Sequence, residues 1–245
     1  MPTLSESQPQ TGQHNWTDFK VFIIDENSGN YAKQLEESLN NPENPDLIHE
    51  INESFNLENL KIFKKDKIIF IISNFKENWQ ENAVREIINK ARENKSKILL
   101  ITLNNPPLEF KNKVYTFKAR NENQLLAIPK LLIGSVLTPG LVCIDPDDMY
   151  EYLIRKDYGK IEYFSYKTNP NMLNKFKDFI NDNISKNIKS IFIQIELSYE
   201  NQFKDVEDTV SIFKNILNPE NIIYSAWFDK NYENKEMKIY LIIFN

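Results

Sequence analysis

The chain has 245 residues and a net charge of −5, with one cysteine and two histidines. That length suits one large or two modest domains, and it buries enough surface to need no disulfide or metal staple. A lone Cys143 forms no disulfide framework or zinc cluster, His14 in a polar tail and His49 in a helical pattern form no histidine-based triad, and scattered lysines and arginines argue against nucleic acid as the main partner.

Residues 1–16 have neither a basic start nor an apolar core, so they read as a disordered tail and not as a signal peptide. From Phe19 apolar strand runs alternate with amphipathic helices. Val21–Ile24 is a short buried strand, Ala32–Leu39 a helix, and Leu47–Phe55 a further apolar stripe. Ile68–Ile72 is an unbroken apolar run, as in a parallel strand covered on both faces. Asn78–Asn94 is a helix with Ala83, Ile87, Ile88 and Ala91 on one side. Ile98–Leu103 and Val114–Phe117 complete a small doubly wound parallel sheet.

Asn121–Leu137 is the next helix, which Pro129 must begin or kink. Leu125–Ile144 has the length of a membrane span, but Lys130, Pro129, Pro139 and the bounding acids favour a buried central helix running into a loop. The expected location is therefore the cytoplasm, without direct membrane insertion. Met149–Arg155 reads as a helix, Lys160–Tyr166 as a strand, and Leu173–Ile184 as a helix. Ser190–Leu197 alternates, with Ile191, Ile193 and Ile195 facing one way. Phe203–Leu217 is a helix, and Ile222–Asp229 and Met237–Phe244 are two strands joined by a polar turn. Alternation predicts half-buried strands, hence a mixed sheet with helices on one face.

The segment Ile133–Met149, I-G-S-V-L-T-P-G-L-V-C-I-D-P-D-D-M, carries the most information. Taken as local structure, Asp145 or Asp147 is a good N-cap, and the acids suit a helix N-terminus. Cys143, between Val142 and Ile144, reads as an inert small residue. The order also resembles the loop after the central helix of FtsZ, the bacterial tubulin homologue, G-L-I-N-x-D-x-x-D. Gly140, Leu141, Asp145 and Asp148 match it, and Cys143 replaces the asparagine. The second half resembles the FtsZ C-terminal domain in its order of elements. Glu220–Asp229, E-N-I-I-Y-S-A-W-F-D, is similar to the family's A-N-I-I-F-G-x-x-I-D, with Ser225 in place of glycine.

The family binds GTP on glycine-rich loops, where backbone N–H groups close on phosphate. The first loop here reads I-D-E-N-S-G-N-Y, keeping Gly29 and Asn30 but adding Asp25 and Glu26; Asn30 is also a candidate cap for the helix after it. The main phosphate loop is replaced by S-N-F-K-E-N-W-Q-E-N from Ser73, without a glycine. The chain ends with its last strand, so the linker and docking peptide of FtsZ are not expected.

The resemblance therefore implies a tubulin/FtsZ-like α/β fold: a small Rossmann-like parallel-sheet N-terminal domain, a central helix and a mixed-sheet α+β C-terminal domain. Its expected parts are the tail 1–16, a degenerate nucleotide-binding-like domain 17–120, the central helix and lead into the acidic loop 121–142, and the C-terminal domain 143–245. It implies an FtsZ-like cytoskeletal or cell-division protein acting by protein–protein contact, head-to-tail with itself or another FtsZ-like protein, without a cofactor or metal. The alternative is a divergent GTPase using GTP with magnesium. Asp145 and Asp148 are the catalytic candidates, acting on a neighbour's nucleotide; Gly29 and Asn30 are the nucleotide-binding candidates. Gly140, Leu141, Asp145, Asp148 and Trp227 are the interface candidates.

Overall fold

The computed structural model describes residues 18–39, 47–63, 66–138, 140–154, 158–184 and 188–245. The expected tail, His14, Pro139 and the last residue of the Met149–Arg155 helix lie outside these. The first half runs β1 (Phe19–Ile24), α1 (Ser28–Leu39), β2 (Ile48–Ile51), β3 (Ile68–Ser73), α2 (Asn78–Glu93), β4 (Lys97–Thr102), α3 (Leu108–Lys111) and β5 (Tyr115–Lys118). Next come α4 (Glu122–Leu125), α5 (Ala127–Leu137) and the single turn α6 (Pro146–Asp148), which continues as a π-helical turn, Met149–Leu153. The second half runs β6 (Gly159–Thr168), α7 (Leu173–Asn183), β7 (Ser190–Leu197), α8 (Phe203–Leu217), β8 (Asn221–Phe228) and β9 (Met237–Phe244).

Among the described residues the strands form one sheet of nine, ordered β2-β1-β3-β4-β5-β6-β9-β7-β8. Strands β1 to β5 are parallel, each reached through a crossover. β5 joins β6 through two residue pairs, Tyr115 with Gly159 and Thr116 with Lys160. β9 lies antiparallel between β6 and β7, and β7 is parallel to β8, so the second half is a mixed sheet. The polar turn between β8 and β9 makes no hairpin, because β7 separates the two strands.

In β3 Ile68, Phe70 and Ile72 face a core beneath α1 and α5, while Ile69 and Ile71 face α2. α5 is buried on nearly every side, so it is apolar all round rather than striped. Pro129 has no N–H to return to Leu125, and the expected single helix divides at Leu126 into α4 and α5. No helix among the described residues is long and apolar enough to cross a membrane.

Two expectations are corrected. The stripe containing His49 is no helix: Ile48–Ile51 is an edge strand paired with Val21–Ile24, and the His49 ring stacks on Phe22 at 5.2 Å. Ile48 and Ile51 fit a helical spacing, but pairing with β1 overrides it. Strand β7 is not half-buried. Ile191, Ile193 and Ile195 pack against α7 and α8, but Phe192 joins the core beneath α5, and buried Gln194 accepts a hydrogen bond from Ser225. The central helix covers the face that alternation alone assigns to solvent.

Candidate functional site

The strand order reverses between β1 and β3, and open parallel sheets hold their ligands at such a point, beyond the strands' C-terminal ends. Here that crevice is occupied by the chain's own polar side chains. Asp25, which follows β1, is buried; its carboxylate accepts from Asn74 Nδ2 at 2.8 Å and from the Asn27 N–H at 3.0 Å. Asn74, which follows β3, has its backbone carbonyl bonded by Asn104 Nδ2 at 2.6 Å. Gln80 lies in the first turn of α2, and its side-chain oxygen accepts from the backbone N–H groups of Lys76, at 2.5 Å, and Glu77, at 3.1 Å. Its amide nitrogen reaches the Ile24 carbonyl at 3.3 Å. The second bond belongs to a capping box, in which an N3 side chain satisfies the N-cap amide.

Two of the amides that a phosphate would use before α2, those of Lys76 and Glu77, are therefore already bonded. Phe75 adopts a left-handed conformation, φ 50°, and its ring is held against Phe110 at 5.7 Å between centroids. Glu77 and buried Asp25 add negative charge. Burial first, then Glu122 and Asp25 nearby, push the Tyr31 hydroxyl up to about 12. A nucleotide phosphate does not fit this arrangement: it would displace Gln80 and meet carboxylates. Gly29 is the second residue of α1, where a Cβ would sit 3.3 Å from Glu50 Oε2. Asn30 is exposed and is the third residue of the helix, so it does not cap it; α1 begins at Ser28, whose N–H donates to the Asp25 carbonyl.

The acidic loop lies at the opposite end of the strands, by the starts of β1 and β3. Its lead-in rests on edge strand β8: the Leu141 N–H donates to the Ala226 carbonyl at 2.8 Å, and Val142 pairs with Ala226. Gly140 is required there, since a Cβ would lie 2.5 Å from the Ala226 carbonyl oxygen. Asp145 is exposed and caps α6, accepting from the Asp147 N–H at 2.8 Å. Asp148 is exposed beside Cys143, Tyr152 and Glu220. Cys143 itself is exposed.

Sequence reasoning offered Asp147 only as a candidate N-cap, a place that Asp145 takes, and missed its role as an anchor. Lys67, at the start of β3, is shared between Asp147 and Asp18. Partial burial opposes the Lys67 charge, but the hydrogen bond and charge of Asp147, with those of Asp18, outweigh it and raise its pKa. Burial raises the Asp18 carboxyl despite Lys67, with Asp147 and Asp145 adding to the rise. Asp147 thus fastens the loop to the sheet, leaving Asp145 and Asp148 facing outward.

Trp227, on β8, is half-buried. Its ring lies 4.0 Å from the position of a Cβ on Gly134 of α5, and it borders a cleft of about 210 Å³ between α5 and the second half of the sheet. Glu196 also borders this cleft and accepts from the hydroxyls of Tyr232, at 2.9 Å, and Tyr240, at 3.1 Å. Burial, reinforced by Glu196, raises both tyrosines above their ordinary range. The sequence signal for Glu196 was the one charge in β7.

A parallel first half, a buried central helix and a mixed second half define the tubulin/FtsZ-like class, and the chain has that fold. Two structures of FtsZ from M. jannaschii are similar to it. An empty dimer matches over 93% of this chain and 88% of its own, at TM-score 0.60 and 9% identity. A W319Y mutant matches over 94% and 92%, at TM-score 0.59 and 12% identity. TubZ of Bacillus thuringiensis serovar israelensis, in a GTPγS-form protofilament, matches over 95% and 88%, at TM-score 0.58 and 8% identity. No protein-family model matches the sequence, and no curated protein matches it. Identities this low establish shared architecture, while function rests on the site.

Proposed function

We propose that this chain is an FtsZ/tubulin-like cytoskeletal protein that acts in the cytoplasm, in cell division, by protein–protein contact and without hydrolysing GTP. The observation that carries this reading is the contrast between the two ends of the first-half strands. At the switch point Gln80 takes the Lys76 and Glu77 amides and Asp25 is buried among its own partners. At the other end an acidic loop is anchored through Lys67 and presents Asp145 and Asp148. The similar structures described as an FtsZ dimer and a TubZ protofilament favour an assembling partner, this chain itself or another FtsZ-like protein.

Labelled GTP, with and without magnesium, tests the first part. A ligand at 100 times its dissociation constant stabilises by about 2.7 kcal/mol, which at this chain length raises the melting temperature by about 5–10 °C. No rise specific to GTP is expected. A clear rise with GTP and not ATP, matched by micromolar binding, would establish the divergent GTPase instead.

Charge favours a foreign partner over a second copy. Stacking two copies head-to-tail would bring exposed Asp145 and Asp148 of one toward exposed Glu26 and Glu77 of the next, a like-charge contact that costs energy. A heterologous contact propagates only when each subunit offers both faces. A subunit with a loop but no nucleotide face joins one end of a genuine filament and stops growth there. Added substoichiometrically to polymerising FtsZ from the same cell, the protein is expected to lower polymer mass by light scattering. Asp148→Ala leaves the Asp145 cap intact and should change any effect on GTP turnover. Unchanged assembly at equimolar ratio sinks the capping role.

A further inference from the structure

At the same end of the strands as the acidic loop lies a pocket of about 340 Å³ bordered by Arg92, Lys95, Ser96, Lys97, Lys113 and Tyr150. Four separate pieces of chain bring these together: the end of α2, the start of β4, the segment before β5 and the π-helical turn. In a chain of net charge −5, four cations around one pocket run against the overall balance. Lys90 and Arg92 suit the C-terminus of α2, while Lys97 and Lys113 come from beyond the helix.

The second observation is Ser96. The residue is 8% exposed, and its Oγ is buried with no hydrogen-bond partner. A buried hydroxyl left unbonded costs free energy, and a ligand oxygen would satisfy it. Lys95 is held in a left-handed conformation, φ 63°, with its carbonyl accepting from the Tyr150 hydroxyl at 2.9 Å. The Lys97 ammonium lies 5.6 Å from the centroid of the same tyrosine ring. The pocket wall thus includes Tyr150, two residues after Asp148. π-helical turns such as Met149–Leu153 are frequent at functional sites.

We propose that this pocket binds a small phosphate-bearing anion, and that its occupancy stiffens the turn behind the acidic loop. Arg92 and the lysines neutralise the phosphate oxygens, and the Ser96 hydroxyl donates to one of them. Lys95 and Tyr150 carry the effect to Met149–Leu153 and hence to Asp148. The volume suits a diphosphate or a nucleotide-sized anion rather than a macromolecule. This reading stands independently of the crevice.

Inorganic phosphate, pyrophosphate, ATP and GTP are titrated into the full chain by calorimetry and thermal melting, and hydrogen exchange is followed with and without pyrophosphate. Pyrophosphate is expected to bind more tightly than phosphate and to raise the melting temperature. Lys113→Glu and Arg92→Glu should each weaken binding about tenfold or more, as for loss of a charge-assisted bond. Ser96→Ala keeps the packing and tests the hydroxyl with less risk to folding. Amides of Met149–Ile154 should exchange more slowly in the bound state. Binding of ATP and GTP alike, lost in these variants, assigns nucleotide binding to this pocket and leaves the crevice reading intact. GTP binding that survives them but responds to Gln80→Ala belongs to the crevice, and defeats the proposed function rather than this site. No binding of any of the four at millimolar concentration, or binding unchanged in the variants, overturns the site, and unchanged exchange at Met149–Ile154 overturns its link to the loop.

Discussion

Lys20→Met is expected to lower the stability of the fold by about 3–5 kcal/mol, the usual cost of removing one partner of a buried ion pair. Lys20 begins β1's climb through the core and is almost fully enclosed, as is Asp66, with Nζ and Oδ2 3.4 Å apart. The ammonium also donates to the Lys61 carbonyl at 2.7 Å, and Asp66 Oδ2 accepts from the Phe63 N–H at 2.6 Å. Asp66 Oδ1 has no hydrogen-bond partner, so the carboxylate depends heavily on this one cation. Losing it strands a charge away from water, which raises the cost far above that of an exposed pair. The measurement is the urea midpoint of unfolding. The double replacement Lys20→Met with Asp66→Leu should recover most of the loss, because the stranded charge goes with it. A single-variant loss under about 1 kcal/mol would mean that water reaches the pair.

Gly159→Ala is the second large effect, expected at about 1–3 kcal/mol, as for overpacking an already filled site. A Cβ at this position would overlap the Asn245 carbonyl and sit 2.6 Å from the Tyr115 ring. The site is the seam at which the parallel first half meets the mixed second half through two residue pairs. Lys160 and Asn245 exchange both backbone hydrogen bonds beside it, at 3.1 and 3.0 Å. The damage should therefore be local before it is global. Hydrogen exchange is expected to quicken first at the amides of Lys160 and Asn245, while those of β1 and β3 hold. Uniform quickening across the whole sheet would show that the two halves unfold as one unit.

Much of the fold was legible because its strands declare themselves. Ile68–Ile72 has no polar residue to spare for solvent, and the structure covers both of its faces. β7 was misread in burial because Gln194 and Glu196 look like solvent-facing residues in an alternating strand. The partners that let them face inward, Ser225, Tyr232 and Tyr240, lie 31 to 44 residues further along the chain. The same limit hid part of the site. The lack of glycine after β3 was plain from the sequence, but not that Gln80 would turn back onto the Lys76 and Glu77 amides. The acidic loop was legible as a motif, and Asp145 is the N-cap that local chemistry favours. That Asp147 holds the loop down depends on Lys67, 80 residues away, and no local spacing encodes that pair.

The attachment of the loop to β8 also makes it a guard. β8 is the last strand of the sheet, and an unpaired strand border is a template for unwanted pairing between chains. Val142 blocks the middle of that border by pairing with Ala226, and Gly140 lets the backbone come close enough to do so. A partner that draws the loop outward to reach Asp148 would also unfasten this cover and leave Ala226 and its neighbours open. Engagement of the loop by such a partner and exposure of the β8 border would thus be tied to one short piece of backbone, and pulling the loop away would open the protein to sticking to its own copies.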